Sequence, residues 1–384
     1  MRPANDFTTG GDVVHRSFVG GHNDPVDRIV SLTVTVIVTV IVIVIVIVTE
    51  GGYNIYLVSD EFVLDSPPVA ADLAADAVPV TVFGIVVEAL ARRAFVAFAT
   101  AKDADLGEWI GASVAFPSSM VDRITPVTTD EDRAQIAATF NLSDRWPVVC
   151  EPFLQWVLED HFTDSRPPYE NTDVQLVTDV EPYELMKLRL LNASHQGLCY
   201  FAFLCGYRLV HDAAADPLIA TFLRAYMDRE GTPTLKPVPG IDVEDYKTQL
   251  IERFSNPGVR DTVARLCADS SDRIPKWLLP VVREQSARGD TVALSAAIVA
   301  SWARYAEGTD EQGQPIDVVD RIKDRVMASA GGFAADPHSF LRDQDLFGDL
   351  LQDAAFVTAY DRALDLLHTV GARATLAELL KPLS

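Results

Sequence analysis

The chain has 384 residues, 48% of them hydrophobic, and a net charge of −23. A chain of this length and composition can form two domains, each with its own hydrophobic core. The negative charge excludes nucleic acid as the expected partner, because phosphates would be repelled. It says nothing about a neutral ligand.

The four cysteines indicate a reduced protein. They form no Cys-x-x-Cys pair, and no secretory context accompanies them, so we expect free core thiols, a cytoplasmic location and no metal site. They are Cys150, Cys199, Cys205 and Cys267.

The first strong pattern along the chain is the uncharged run from Ile29 to Val48, an almost wholly β-branched dipeptide repeat. The run is long enough to span a bilayer. Because β-branched residues favour strands, we expect an expanded strand with an aggregation hazard. A membrane-inserting segment is the alternative. The next pattern, from Thr81 to Ala99, reads as one helix.

The segment from Pro182 to His195 places polar side chains on one face of an otherwise apolar helix. At 100° per residue, with Lys187 taken as zero, Glu184 lies at about 60°, His195 at about 80° and Asn192 at about 140°. Because leucine, methionine and aromatic side chains surround this face, we expect the helix to be buried.

These polar groups suit the removal of a proton from an alcohol. Burial would lower the pKa of the Lys187 ammonium group toward neutrality and make the lysine a usable general base. Asn192 can donate hydrogen bonds to a developing oxyanion, and His195 can contact a neighbouring hydroxyl. The alternative is structural: Lys187 extends to solvent, Asn192 bonds a backbone carbonyl and His195 is a satisfied core histidine.

From residue 130 to the end the pattern is helical, with breaks at proline- and glycine-containing loops. A helix start is predicted at Thr129, and a turn at Ser255 to Gly258. Further helices are predicted over 215–228, 242–254, 257–268, 276–288, 291–306, 316–329 and 353–382. We therefore predict a mostly α-helical C-terminal domain over residues 130–384, whose first long helix carries Lys187.

Three segments in the same order resemble the mannitol dehydrogenase family, the polyol-specific long-chain dehydrogenases and reductases. They are Val114–Pro126 (VAFPSSMVDRITP), Glu151–Asp160 (EPFLQWVLED) and the helix with Lys187, Asn192 and His195. The similarity continues through Asn256–Leu266 and Asp272–Pro280, and it includes Thr49–Tyr53. The second segment and the Asn-Ala-Ser-His run most resemble mannitol 2-dehydrogenases.

The resemblance implies a zinc-independent, NAD-dependent oxidation of a secondary alcohol, most simply of D-mannitol to D-fructose. Lys187 stands at the position of the general acid and base. Asn192 matches one of two asparagines that polarise the reacting oxygen, and His195 matches a histidine that contacts the substrate.

The resemblance also implies the residues that surround these groups. Asp122 falls where the family's aspartate approaches substrate and nicotinamide ribose, and Thr49 and Val121 are the other expected cofactor contacts. Arg265 and Arg273 stand where two cationic side chains hold the distal hydroxyls of the polyol. Ordinary surface cations are the alternative for these two arginines.

The chain departs from the family pattern in its first part. A Rossmann unit opens with a strand, a glycine-rich turn and a helix that receives the pyrophosphate; the glycine pairs Gly10-Gly11 and Gly20-Gly21 do not have that spacing. Two family helices look fused at Arg92-Arg93, without the strand and Asn-Gly turn between them. The second oxyanion asparagine would be lost with that stretch, at a typical cost of about 10² to 10³ in rate.

We therefore expect an incomplete α/β Rossmann-like domain over residues 1–129, followed by the helical domain. Two functions remain open, a working polyol dehydrogenase and a catalytically inactive remnant of the family. Arabinitol dehydrogenases and fructuronate or tagaturonate reductases are the alternatives for substrate, and NADP is the alternative for cofactor. We expect a monomer that binds neither nucleic acid nor membrane.

Overall fold

The computed structural model describes residues 43–49, 52–58, 80–83 and 88–381, with side chains from Arg92 onward. The two N-terminal glycine pairs and residues 29–42 of the β-branched run lie outside the described residues. The described end of that run, with Thr49, forms a strand, as predicted for this part. In the described part of the chain, no helix combines the length and apolarity that crossing a bilayer would need.

The described strands are β1 Ile43–Thr49, β2 Gly52–Val58, β3 Val80–Phe83, β4 Ser119–Asp122, β5 Gln155–Glu159 and β6 Gln175–Val177. The described α-helices are α1 Glu88–Lys102, α2 Ala104–Ser113, α3 Asp130–Phe140, α4 Glu181–Met186, α5 Ala193–Leu204, α6 Val210–Ala214, α7 Pro217–Tyr226, α8 Val243–Phe254, α9 Val263–Cys267, α10 Ser270–Trp277, α11 Leu279–Arg288, α12 Ala293–Ala306, α13 Lys323–Gly331, α14 Gln344–Phe347, α15 Ala354–Thr369 and α16 Ala372–Leu379.

The chain divides into two compact units. The first consists of Met1–Asp122 with Leu154–Glu181, and the second of Arg123–Phe153 with Pro182–Ser384. The division into domains at residue 129 stays a prediction, because compactness does not test whether a part of the chain folds by itself.

The first unit contains two small sheets. In one, β2 pairs antiparallel with β1 and parallel with β3. In the other, β5 pairs antiparallel with β4 and parallel with β6. The prediction of one helix from Thr81 to Ala99 was wrong, because Thr81–Phe83 belongs to β3 and α1 begins only at Glu88. The valine, threonine and phenylalanine of β3 suit a paired strand better than a helix start.

Helix α2 packs closely against α1. The side chain of Asp103 caps α2 by accepting hydrogen bonds from the amides of Asp105 and Leu106. Gly107 faces α1, and a Cβ atom there would lie 2.1 Å from Thr100 Oγ1. Glycine at this position therefore lets the two helices approach each other.

The core of the second unit forms around α12, which contacts both α5 and α15. Alanine and serine occupy much of α12 and are buried along nearly its whole length, so the neighbouring helices can come close. Larger aromatic rings fill the rest of the core, and Trp302 packs edge-on against Phe340 with ring centroids 4.8 Å apart. The prediction of a mostly helical C-terminal part is confirmed.

Most of the predicted helices are present, but four have other bounds. The stretch 276–288 is divided, because Lys276 and Trp277 end α10 and α11 begins at Leu279. The stretch 257–268 is helical only at Val263–Cys267, because its first residues continue a turn and Thr262 caps the helix. The stretch 316–329 becomes helical at Lys323, and 353–382 breaks at Gly371, which has a φ of 82°. The predicted start at Thr129 is confirmed, with a reciprocal capping box to Asp132.

Candidate functional site

The helix that carries the predicted catalytic residues contains a π turn. Helix α4 ends at Met186, the π turn spans Lys187–Asn192, and α5 follows. The amide of Ala193 donates to the carbonyl of Leu188, five residues earlier. Isolated π turns of this kind occur frequently at functional sites.

The π turn changes the angles that a regular helix gives. It holds one residue more than an α-helical turn, so the residues after it rotate back by about 100°. His195, which follows the turn, then lies about 20° from Lys187, on the opposite side from its regular-helix position. Asn192 is the last residue of the π turn, so the angles predicted for a regular helix do not hold for these two side chains.

Contacts from outside the helix bond several polar groups of the π turn. The hydroxyl of Tyr226 donates to the carbonyl of Arg189 over 3.0 Å. The guanidinium of Arg189 donates to the Thr234 carbonyl over 2.7 Å and forms a two-point ion pair with Glu284, at 2.6 and 2.9 Å. A Cβ atom at Gly231 would lie 2.9 Å from Leu190 Cδ2, so glycine is needed beside the turn.

Tyr226 precedes a second π turn, Met227–Gly231. Reasoning from the sequence missed this tyrosine because it is one of several apolar-looking residues in α7. No pattern along the chain signals that its hydroxyl reaches the Arg189 carbonyl.

The polar face is only partly enclosed. Glu184, Lys187 and Asn192 are half-buried, while His195 is 8% exposed. The expectation that Lys187 is buried is therefore corrected: the apolar residues around it are buried, but the lysine lies at the margin.

Asn192 has an acceptor atom without a partner. Its Oδ1 is buried and has no hydrogen-bond partner among the described residues. The amide group of an asparagine can also donate its hydrogens to a ligand oxygen.

Helix α8 holds His195 from the side. The ring of Phe254 lies 4.5 Å from the imidazole, centroid to centroid. The preceding residue, Arg253, forms a buried two-point ion pair with Glu151, at 2.7 and 3.0 Å, and lies over the Phe153 ring at 3.9 Å. Glu151 also accepts from the amide of Ile124 over 2.6 Å.

The two predicted substrate-binding arginines lie together beside α5. Arg273 Nη1 donates to the carbonyls of Arg265 and Leu266, at 3.1 and 3.0 Å. Gln196, the residue after His195, donates to the same Leu266 carbonyl over 3.4 Å. Arg273 and Gln196 thus share one carbonyl acceptor next to His195, and Arg273 contacts Arg265 through the Arg265 backbone.

Arg265 also has a carboxylate partner that we did not predict. Arg265 Nε donates to Asp261 Oδ1 over 2.6 Å, and Arg265 Nη2 donates to the other oxygen. This ion pair raises the pKa of the Arg265 guanidinium. Asp261 was visible in the sequence, four residues before Arg265, and that spacing is typical of a helical ion pair.

The predicted cofactor contacts lie in the first unit. Asp122 is the last residue of β4 and is 1% exposed. Val121 is half-buried and is paired with Trp156 of β5. Thr49 ends β1 and is paired with Gly52. Their roles stay predictions. Among the residues with described side chains, no group of three or more His, Cys, Asp or Glu could hold a metal ion.

Both parts of the chain match models of one family. Residues 85–171 match the mannitol dehydrogenase Rossmann domain, and residues 179–368 match the mannitol dehydrogenase C-terminal domain. The expected combination of a Rossmann-like N-terminal region and a mostly helical C-terminal region is therefore confirmed.

Among similar proteins is a mannitol 2-dehydrogenase of Phaeosphaeria nodorum, 41% identical over 360 residues, covering 86% of this chain and 63% of that protein. A mannitol dehydrogenase of Saccharomyces cerevisiae is 39% identical over 385 residues, covering 93% of this chain and 74% of that protein. The chain thus spans less than two thirds of the length of the first relative.

Two solved structures are also similar. A Pseudomonas fluorescens mannitol 2-dehydrogenase, in a ternary complex with NAD and D-mannitol, is 42% identical with a TM-score of 0.74. The match covers 79% of this chain and 63% of that one. A D-sorbitol dehydrogenase in substrate-free form is 32% identical with a TM-score of 0.70, covering 77% of this chain and 62% of that one.

Proposed function

Because the chain belongs to the mannitol dehydrogenase family, we propose that it is an NAD-dependent oxidoreductase that interconverts D-mannitol and D-fructose. The observation that carries this proposal is the π turn, which begins at Lys187, ends at Asn192 and is followed within one helical turn by His195. The Pseudomonas fluorescens relative was solved with NAD and D-mannitol, which supports this choice of cofactor and substrate.

In the proposed reaction Lys187 Nζ accepts the proton of the substrate hydroxyl. Asn192 donates a hydrogen bond to the same oxygen as negative charge develops there, and this stabilises the transition state. His195, held by the Phe254 ring, contacts a neighbouring hydroxyl and fixes the orientation of the polyol. Lys187 returns the proton when the reaction runs in the reverse direction.

Asp122 is the residue that the family resemblance places beside the substrate and the nicotinamide ribose, and it is the last residue of β4. Its carboxylate can accept a hydrogen bond from a ribose hydroxyl, and Val121 and Thr49 would contact the cofactor beside it. When bound, NAD supplies the hydride acceptor.

The proposal also covers the location, the oligomeric state and the substrate preference of the protein. We propose that the protein acts as a cytoplasmic monomer, and that D-mannitol is preferred to arabinitol and to hexuronates. The inactive remnant considered from the sequence is the competing function, and cofactor binding separates the two.

The first experiment is a calorimetric titration of the purified chain with NADH and then with D-mannitol. We expect both to bind and D-mannitol to be oxidised with NAD. In Lys187→Ala, kcat should fall by about 10² to 10⁴, because the general base is removed. The matched control is Lys323→Ala, since Lys323 is 43% exposed and pairs only with Asp317 in the described part of the chain.

Each outcome has a separate meaning. Absence of NADH binding would reject the dehydrogenase function in favour of the remnant. Activity in the wild type that survives in Lys187→Ala would leave the function standing and reject Lys187 as the general base.

A further inference from the structure

Asp261 cancels the charge of one of the two arginines beside α5. Its side chain is 4% exposed and forms the two-point ion pair with Arg265, whose side chain is 35% exposed. The pair occupies Nε and Nη2 of the guanidinium, so Nη1 is the nitrogen that makes no hydrogen bond to a described residue. Arg265 therefore offers hydrogen-bond donors without a net positive charge.

Arg273 differs from Arg265 in this respect. Its Nη1 donates to two backbone carbonyls, and its guanidinium lies 5.6 Å from the centre of the Trp277 ring. No carboxylate within the described part of the chain forms an ion pair with it. The group of Asp261, Arg265 and Arg273 thus has two guanidinium groups but one uncompensated positive charge.

The charge of this group matters for the choice between a polyol and a sugar acid. A hydroxyl needs N–H donors and gains little from net charge, whereas a carboxylate is stabilised by each uncompensated cation nearby. A carboxylate already bound to Arg265 also repels a second one, and such repulsion is a common source of specificity.

We propose that Asp261 is a positioning and specificity-determining residue, which orients Arg265 and makes this end of the site select a neutral polyol over a hexuronate or aldonate. The inference rests on the proposed function, together with the role of holding the distal hydroxyls of the substrate that the family resemblance implies for Arg265 and Arg273. It separates D-mannitol from the uronate alternatives, which the sequence left open.

The test compares two ligands that differ at one terminal carbon, D-mannitol and D-mannonate, by calorimetric titration of the full chain with and without NADH. In Asp261→Asn we expect the affinity for D-mannonate relative to D-mannitol to rise about tenfold, because a second uncompensated cation then faces the carboxylate. The gain should shrink between about 0.02 and 0.3 M salt, where screening increases.

A matched control exists elsewhere in the second unit. Asp343 is 6% exposed and forms a two-point ion pair with Arg325, which is 44% exposed. Asp343→Asn likewise removes a buried carboxylate from a two-point ion pair, while Arg325 keeps a second partner in Asp345. The ratio of the two affinities should stay at the wild-type value.

Two further variants separate charge from structure. Asp261→Glu keeps the charge and should keep the wild-type preference for D-mannitol. If Asp261→Asn does not fold, Asp261→Ser retains a side-chain acceptor for the Thr262 amide, which Asp261 now binds over 2.8 Å. The same rise in relative D-mannonate affinity is expected for it.

The outcomes distinguish a failure of the inference about Asp261 from a failure of the proposed function. If Asp261 has only a structural role, Asp261→Asn should weaken the binding of both ligands by the same factor. An unchanged ratio of the D-mannonate and D-mannitol affinities would overturn the inference. The proposed function would still stand if the wild type binds D-mannitol. A wild type that prefers D-mannonate would also overturn the inference. Binding of neither ligand by any variant would reject the proposed function, and the inference with it.

Discussion

At the scale of single residues, the hydroxyl of Tyr226 supports the π turn from another helix. A π turn leaves a carbonyl without its usual partner in the helix, and here the Arg189 carbonyl accepts from Tyr226. Both residues are buried, so water does not replace this bond easily. The position of Asn192 relative to Lys187 therefore depends on a residue that the sequence does not mark.

We expect Tyr226→Phe to lower the free energy of unfolding by about 1 to 2 kcal/mol, because a buried carbonyl loses its donor. It should also lower kcat more than it changes KM, since the π turn orients the groups that act on the reacting oxygen. Chemical denaturation and steady-state kinetics measure the two effects.

The control for this variant is Tyr360→Phe. Tyr360 is fully buried, and its hydroxyl has no hydrogen-bond partner among the described residues, so removing it should cost nothing or stabilise the fold. Equal losses of stability in both variants would contradict the role of the Tyr226 hydroxyl.

At the scale of elements, a buried carboxylate caps the central helix α12. Glu230 accepts from the amides of Leu294 and Ser295, each over 2.7 Å, and from the Ser295 hydroxyl over 2.5 Å. Burial raises the pKa of Glu230 to about 7, and these donors oppose the shift only in part. The second π turn, which carries Glu230, is thereby tied to the start of α12.

This pKa predicts how stability depends on pH. Between pH 4.5 and about 7 the folded state binds more protons at Glu230 than the unfolded state does, so the free energy of unfolding falls as pH rises through this window. The total effect is on the order of 3 kcal/mol. In Glu230→Gln this part of the pH dependence should disappear, as measured by denaturation at several pH values.

Asp242→Asn provides the comparison. Asp242 is an exposed helix cap that accepts from the amides of Glu244 and Asp245 at the start of α8, so its replacement shows what the loss of a cap alone does to stability. A Glu230→Gln variant that keeps the wild-type slope would refute the assignment of this dependence to Glu230.

At the scale of the whole molecule, the dominant physical property is the net charge. The chain has 55 acidic and 32 basic residues, and like charges at this excess destabilise a compact state through mutual repulsion. A surface of this charge repels anions such as a sugar acid. It gives no information about a neutral polyol.

We expect the midpoint of thermal unfolding to rise by several degrees between about 0.05 and 0.5 M sodium chloride, because salt screens the repulsion. Differential scanning calorimetry measures the shift, with sucrose as a control cosolute that carries no charge. A midpoint that falls with salt would mean that the attractive ion pairs outweigh the repulsion.

Much of the candidate site could be predicted because it depends on neighbours along the chain. Lys187, Asn192 and His195 share one helix, and helical periodicity is a local property. The helix start at Thr129 was predictable for the same reason. The bounds of α9 were not, because the turn at Asn256 and the cap at Thr262 compete with the apolar pattern.

The sequence by itself determined the family resemblance, the mostly helical second part and the residue types that face the proposed substrate. The tertiary structure alone decided how these residues are arranged. A donor from α7 bonds the Arg189 carbonyl in the π turn, and Arg273 and Gln196 of α5 donate to the same Leu266 carbonyl. Contacts of this kind join positions that are distant in sequence, so no local pattern encodes them, and they fix the face on which Lys187 lies.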